Sequence, residues 1–317
     1  MHYRRLGRTN LNVSEVGFGA WAIGGNQYGN SYGPTIDDES MRAVRRALEL
    51  GCNFFDTADV YGYGHSEEVL ARALDNSRKD VIVATKVGGN FYSGRTRMDF
   101  SPQHIKFAIE KSLQRLNTDY IDLYQLHNPP LEMIKDGKVF ESLAELKKEG
   151  RIRFIGVSIF EPAEGVEAVK HGIVDTIQVV YNIYHQVPRN ELFPVAIKNN
   201  VGIIVREPLA NGFLTGKFST EKVSFPQGDI RHNWTLDYLN ARISATEKVR
   251  FLEAGGRRTL TQAAIRFALS DDAVSTAIPG AKTVKQVEEN LLTTTVEPLA
   301  KQELEKVFAL AERNFDL

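Results

Sequence analysis

A chain of 317 residues, 42% hydrophobic and 25% charged, has material for a large core, and its single cysteine, Cys52, excludes an intrachain disulfide or a cysteine-built metal cluster. A net charge of −1 with no basic block gives no reason to expect nucleic acid or an anionic membrane surface as partner, which leaves a small molecule as the expected ligand. No secretory signal is visible in residues 1–8 and no run of roughly 18 apolar residues occurs, so a cytoplasmic protein is expected.

Along the chain, residues 3–6 and 11–13 flank a turn and predict a small hairpin. Val16 to Trp21 reads as a first buried strand, whose glycines allow another backbone or a ligand to approach closely. Helix 37–50 carries Met41, Val44 and Leu48 on one face and acidic residues in its first turn, where the helix dipole favours them. A short strand at Phe54-Phe55 then delivers Asp56, and the loop that leaves it through Gly62-Tyr63-Gly64 carries Tyr61. Helix 67–74 follows, then strand 81–85 running into Lys86. Ser101-Pro102, an N-cap serine with proline at the first helical position, opens a helix to Leu116. Strand 120–126 runs into His127.

The same alternation continues through helix 139–148, strand 152–158, helix 162–170, strand 176–180, helix 191–199 and strand 201–205. Residues 207–235 break it with prolines, glycines and no steady apolar period, as expected of a functional loop over a pocket. Helix 259–269, strand 274–278 and helices 284–292 and 298–313 complete the chain. Eight strands, each followed by a helix, predict a single (β/α)8 TIM barrel over residues 1–317, with an N-terminal β-hairpin and extra C-terminal helices. No Gly-x-Gly-x-x-Gly opens a helix after the first strand, which argues against a doubly wound nucleotide-binding sheet.

In such a barrel Asp56, Tyr61, Lys86 and His127 all fall at the C-terminal mouth, where function gathers. A phenol, with an ordinary pKa near ~10, needs a positive neighbour to act as an acid at neutral pH. Lys86 is placed to be that neighbour, Asp56 to keep Lys86 charged, and His127 to donate a hydrogen bond to a substrate carbonyl or to help pass a proton to it. The set fits reduction of an aldehyde or ketone, with Tyr61 protonating the oxygen. No side chain supplies a hydride, so a nicotinamide cofactor is required. No spacing of histidines proposes a metal.

Asp56-Thr57-Ala58 with Tyr61-Gly62 and Ser66-Glu67, then Thr85-Lys86, then Leu123 to His127, resemble in order and spacing the motifs of the aldo-keto reductase superfamily, in the branch that also holds potassium-channel β-subunits. The resemblance spans nearly the whole chain. It implies an NAD(P)H-dependent reductase of small carbonyl compounds with Asp56, Tyr61, Lys86 and His127 as catalytic tetrad. It also implies cofactor contacts at Ala20, Trp21 and Asp56, at Ser158 and Gln178 for the nicotinamide carboxamide, at Arg206, Pro208, Leu209, Ala210, Asn211 and Lys217, and at Gly280, Lys282, Gln286, Glu289 and Asn290 for the adenosine. The chain departs from the family pattern at Ile159 after Ser158, at Arg206 where an aromatic residue commonly stacks, and at Gln286 where an arginine is common. That leaves Lys282 and Arg231 to favour NADP(H), with NAD(H) possible.

Two other functions stand beside this one. A nucleotide-binding regulatory subunit without turnover uses the same scaffold, although His127 stands where the channel subunits tend to carry asparagine. A barrel glycosidase needs a second carboxylate beside Asp56, and none is evident. Substrate choice is expected to lie in the mouth loops 22–35, 88–100 and 207–235, where Phe91, Tyr92 and Trp234 either line the pocket or pack beneath the loops.

Overall fold

The computed structural model describes residues 1–27, 31–221 and 223–316. An antiparallel hairpin of β1 (Tyr3–Arg5) and β2 (Asn12–Ser14) opens the chain. Parallel strands β3 (Phe18–Gly19), β4 (Phe54–Asp56) and β5 (Ile82–Val87) follow. After a short antiparallel ribbon of β6 (Gly89–Asn90) and β7 (Arg97–Met98) come β8 (Ile121–His127), β9 (Ile152–Ser158), β10 (Thr176–Val180), β11 (Gly202–Arg206) and β12 (Val274–Ala277). The eight parallel strands pair in the order β3-β4-β5-β8-β9-β10-β11-β12. Parallel bridges from Val16 to Ala277 and from Gly19 to Gly280 close the ring into a barrel.

Period-two alternation decides what each strand faces. Phe54 packs in the interior with Ile82, Ala84, Leu123 and Ile204, and Leu6 and Val13 of the hairpin join that cluster and stopper the N-terminal end. Phe55, Val83, Tyr124 and Val205, one residue out of phase, pack between the barrel and its helices. The helices carry their expected signals: Ser101 Oγ accepts the amide of His104 at 3.2 Å to start helix Pro102–Leu116, and Thr259 caps helix Leu260–Ala268 in a capping box. Helix Lys301–Glu312 is an addition beyond the eight units.

Several boundaries differ from expectation. The first strand keeps only Phe18–Gly19, and Ala20–Gly24 winds into a 3-10 turn, where Gly24 lies so close to the Tyr61 backbone that a Cβ would stand 2.9 Å from its carbonyl carbon. Lys86 is part of β5 rather than beyond it. The helix expected from Glu191 is two short ones, Val187–Glu191 and Phe193–Lys198, because Pro188 and Pro194 each start a helix and lack the amide needed to continue one. Helix Leu236–Lys248 was not expected. Its apolar stripe is thin, with Leu239 and Ile243 buried against Phe213 of the preceding loop, so its stability comes from packing rather than pattern. No helix among the described residues is long and apolar enough to cross a membrane.

Candidate active site

Toward the C-terminal ends of the strands the inward positions turn from apolar to polar: Asp56 on β4, Lys86 on β5, Gln125 and His127 on β8, Ser158 on β9, Gln178 on β10 and Arg206 on β11. The barrel thereby gathers residues more than 100 positions apart into one layer. Asp56 is its hub. Oδ1 accepts Lys86 Nζ at 2.5 Å, and Oδ2 accepts Gln178 Nε2 at 2.7 Å and Gln125 Nε2 at 3.0 Å. Lys86, fully buried, donates also to the Thr57 carbonyl at 2.8 Å and to the Tyr61 phenol oxygen at 3.2 Å. The ammonium thus has an acceptor for each of its three hydrogens, the condition under which a buried ion pair is tolerated.

Burial opposes the charge on Lys86, but attraction to Asp56 and then to Tyr61, with hydrogen bonds to both, outweighs it and leaves the lysine above its ordinary pKa. Burial likewise raises the Tyr61 phenol, and Lys86 offsets only part of that rise. The net shift is therefore opposite to the lowering expected from a neighbouring cation alone, and Tyr61 stays protonated at neutral pH. Because Lys86 donates to the phenol oxygen, the phenol's own hydrogen is left for a partner in the cleft. His127 is held well below the ordinary imidazole value by burial first, then by the charges of Lys86 and Arg206. It is neutral, and its ring stands edge-on to Tyr61 with centroids 5.8 Å apart.

Gln125 reaches Asp56 because Gly156 beside it has no side chain: a Cβ there would lie 2.8 Å from Gln125 Cγ and 2.6 Å from Thr176 Oγ1. The motif at Leu123–His127 contains Gln125 without giving it a role; the available signal was alternation, which sets Gln125 on the inward face with His127.

A cavity of about 350 Å³ runs from Asp56, Tyr61 and Gln178, past Trp21, Arg206, Pro208, Leu209 and Asn211, to Lys217, Arg231, Gly280, Lys282, Gln286, Glu289 and Asn290. Three expected cofactor residues lie off it. Ala20 is enclosed, its carbonyl accepting Ser66 Oγ at 2.8 Å; Ala210 is turned into the core by a left-handed backbone at φ 46. Ser158 lies beneath the surface between His127 and Gln178 in the strand register, its buried Oγ without a partner among the described residues. Gln178 lines the cleft, and its amide nitrogen donates to Asp56, whose buried carboxylate needs the donor.

At the far end, Arg231 clasps Asp229 through Nε at 2.9 Å and Nη2 at 2.6 Å and donates to the Asn211 carbonyl at 3.0 Å. Gln286 holds the Lys282 backbone amide at 2.8 Å. Lys282 Nζ donates to the carbonyls of Tyr32, Pro34 and Gly33 at 2.6, 3.2 and 3.3 Å, and Tyr32 Oη donates to Asn211 Oδ1 at 2.7 Å. Residues 31–34 therefore lie tied across the cleft, and Tyr32 lines it although no sequence signal marks it. Of the expected specificity loops, residues 28–30 and Lys222 fall outside the described residues. Within the others, Phe91 stacks between Tyr63 and Tyr92 at 4.8 and 4.2 Å, and Trp234 packs on Phe213 and Tyr238.

Lys217 sits below the ordinary lysine value through burial first and repulsion from Arg231 second. Lys282 does so through burial, which Asp229 offsets in part while Arg231 and Lys217 add to it. Lysines pushed down by burial and by the charge of Arg231 are relieved by an anion, so this end fits a nucleotide phosphate. The unpartnered Ser158 hydroxyl near the tetrad fits an amide at the other end. No group of three or more histidine, cysteine, aspartate or glutamate side chains among the described residues is arranged to hold a metal ion.

Comparison with known proteins is consistent with that geometry. Residues 15–312 match the model of the family described as the Aldo/keto reductase family. The holo structure of aldo-keto reductase AKR11C1 from Bacillus halodurans is similar with a TM-score of 0.81 at 34% identity, over 98% of this chain and 96% of that one. Two curated relatives, each 30% identical, are named for different cofactors. Aldo-keto reductase yakc [NADP(+)] of Schizosaccharomyces pombe matches over 90% of this chain and 85% of its own length. The NADH-specific methylglyoxal reductase of Escherichia coli matches over 92% and 93%.

Proposed function

The chain belongs to the aldo/keto reductase family, and on that premise we propose that it reduces a small aldehyde or ketone to the alcohol, with NADPH as the preferred hydride donor. When bound along the cleft, a reduced nicotinamide supplies the hydride to the carbonyl carbon. Tyr61 gives its proton to the carbonyl oxygen, and the Lys86 ammonium, held by Asp56, stabilises the phenolate left behind. Neutral His127 donates a hydrogen bond that orients the carbonyl. Trp21, Gln178, Arg206, Pro208, Leu209 and Asn211 border the nicotinamide half, and Lys217, Arg231, Gly280, Lys282, Gln286, Glu289 and Asn290 the adenosine half.

The observation that carries this reading is the hydrogen bond from Lys86 to the Tyr61 oxygen at the inner end of a cleft whose outer end is cationic. Oxidation of NADPH in the presence of 4-nitrobenzaldehyde tests it: turnover is expected, and bound cofactor without turnover would assign the regulatory role instead. The preference for NADPH rests on the crowding of Lys217 and Lys282. Lys282→Ala is expected to weaken NADPH about tenfold, a loss of about 1.4 kcal/mol, while NADH changes little. If both cofactors weaken equally, Lys282 acts through its tie to residues 31–34 and does not read the 2′-phosphate.

A further inference from the structure

Two residues before Tyr61 stands a carboxyl that the tetrad does not use. Asp59 is fully buried, and neither of its side-chain oxygens has a hydrogen-bond partner among the described residues. The backbone accounts for its place. Thr57 N donates to the Ala84 carbonyl at 2.8 Å and Asp59 N to the Lys86 carbonyl at 3.4 Å, so the chain beyond β4 stays attached to β5 while it turns. Tyr61 N closes that turn on the Ala58 carbonyl at 3.1 Å. Val60 seats against Gly89, where a Cβ would stand 1.9 Å from Val60 Cγ1. Tyr61 is thus carried by a close-fitting turn whose buried anchor is Asp59.

The surroundings offer no free charge to match a carboxylate there. From helix His65–Leu74, Glu67 faces Asp59, and Glu67 already accepts Arg115 Nε of helix Pro102–Leu116 and Thr85 Oγ1, each at 2.6 Å. Arg115 directs its other nitrogens to Tyr92 Oη at 3.0 Å and Ser112 Oγ at 3.3 Å. Lys86 of β5 has all three hydrogens placed on Asp56, Thr57 and Tyr61. From β8, Tyr124 stands beside Thr85 in the register and brings a buried hydroxyl that also lacks a partner among the described residues. Burial first and repulsion from Glu67 second hold Asp59 well above the ordinary carboxylate value, and Arg115, the Val60 amide and Lys86 offset this only in part. A buried carboxylate without a partner is so unfavourable that it takes up a proton instead.

We infer that Asp59 is a positioning residue for Tyr61 and works as an uncharged acid, which fits the closed layer between barrel and helices and keeps the 57–61 turn seated on β5. A carboxylate in the same place would draw the turn toward water. The role rests on Tyr61 as the proton donor, as in the proposed function. Asp59 is not among the residues that line the cleft, so it acts through the turn alone.

The test is infrared spectroscopy of the whole protein, with kinetics beside it. The wild-type minus Asp59→Asn difference spectrum at pH 7 is expected to show the carbonyl band of a protonated carboxyl, and a carboxylate band in its place would overturn the inference. Asp59→Ala, which removes the anchor, is expected to lower turnover of 4-nitrobenzaldehyde about tenfold while leaving NADPH affinity within about twofold. Asp59→Asn, the uncharged isostere, is expected to restore turnover to within about threefold of the wild type. Wild-type turnover in Asp59→Ala would overturn the positioning role and leave Asp59 as packing. If Asp59→Ala does not fold, Asp59→Asn decides the matter: turnover lost in a variant that still binds NADPH would mean that the turn needs the charge, against the inference. Absence of turnover in the wild type would instead overturn the proposed function, on which the infrared band does not depend.

Discussion

Tyr61→Phe is expected to lower turnover with an aldehyde and NADPH on the order of 10²-fold or more while leaving cofactor affinity within about twofold. The phenol has a hydrogen left over: Lys86 already occupies its oxygen as a donor, at 3.2 Å, so the phenolic hydrogen points elsewhere. Phenylalanine preserves the ring that stands against His127 and Trp21 and removes only that hydrogen and oxygen. Steady-state kinetics with titration of NADPH in parallel separates the two roles; near-wild-type turnover would remove Tyr61 as the acid. The pH profile carries a second consequence. Tyr61 is shifted up by burial and His127 well down by burial and nearby cations, so neither changes state between about pH 6 and pH 9. The rate of carbonyl reduction is expected to be flat in that window, and a limb near the ordinary imidazole value would mean that His127 titrates and shares the acid role.

Lys86→Met is expected to abolish turnover and also to destabilise the fold by about 3–5 kcal/mol, because it leaves the Asp56 carboxylate buried with no cation beside it. Gln125 and Gln178 still donate to Oδ2, yet neutral amides do not replace the charge facing Oδ1 at 2.5 Å. The double variant Asp56→Asn/Lys86→Met has no buried charge to strand and should regain most of the stability without regaining activity. Chemical denaturation of the three proteins at pH 7 measures this. A single variant as stable as the wild type would show that the pair contributes nothing to the fold, and an active double variant would show that Lys86 is not needed to support the phenol.

Much of the site was legible because three of the four tetrad residues stand where an apolar run stops and Tyr61 lies in the loop that leaves the first of them. Asp56 follows Phe54-Phe55, Lys86 follows residues 81–85, and His127 follows residues 120–126; strand termini in a parallel barrel share one mouth. Gln125 was harder to read, since only its shared face with His127 marks it and its reach depends on the space left by Gly156, 31 positions away. Ala20 and Ala210 lie off the cleft for a related reason: each stands beside lining residues in sequence, but local backbone turns them inward. Helix Leu236–Lys248 escaped notice because the partner of its thin apolar stripe, Phe213, comes from a loop with no pattern of its own.

By itself the sequence determined the alternation of strands and helices, the barrel that alternation builds and the four chemical groups delivered to its mouth, because hydrophobic period and helix capping act between near neighbours. Only the tertiary structure decided that Tyr61 is shifted up rather than down, that Gln178 serves Asp56, and that Lys282 ties residues 31–34 across the cleft. Each of these is a sum of desolvation and charge over residues brought together from distant parts of the chain, and no spacing along the sequence carries that sum.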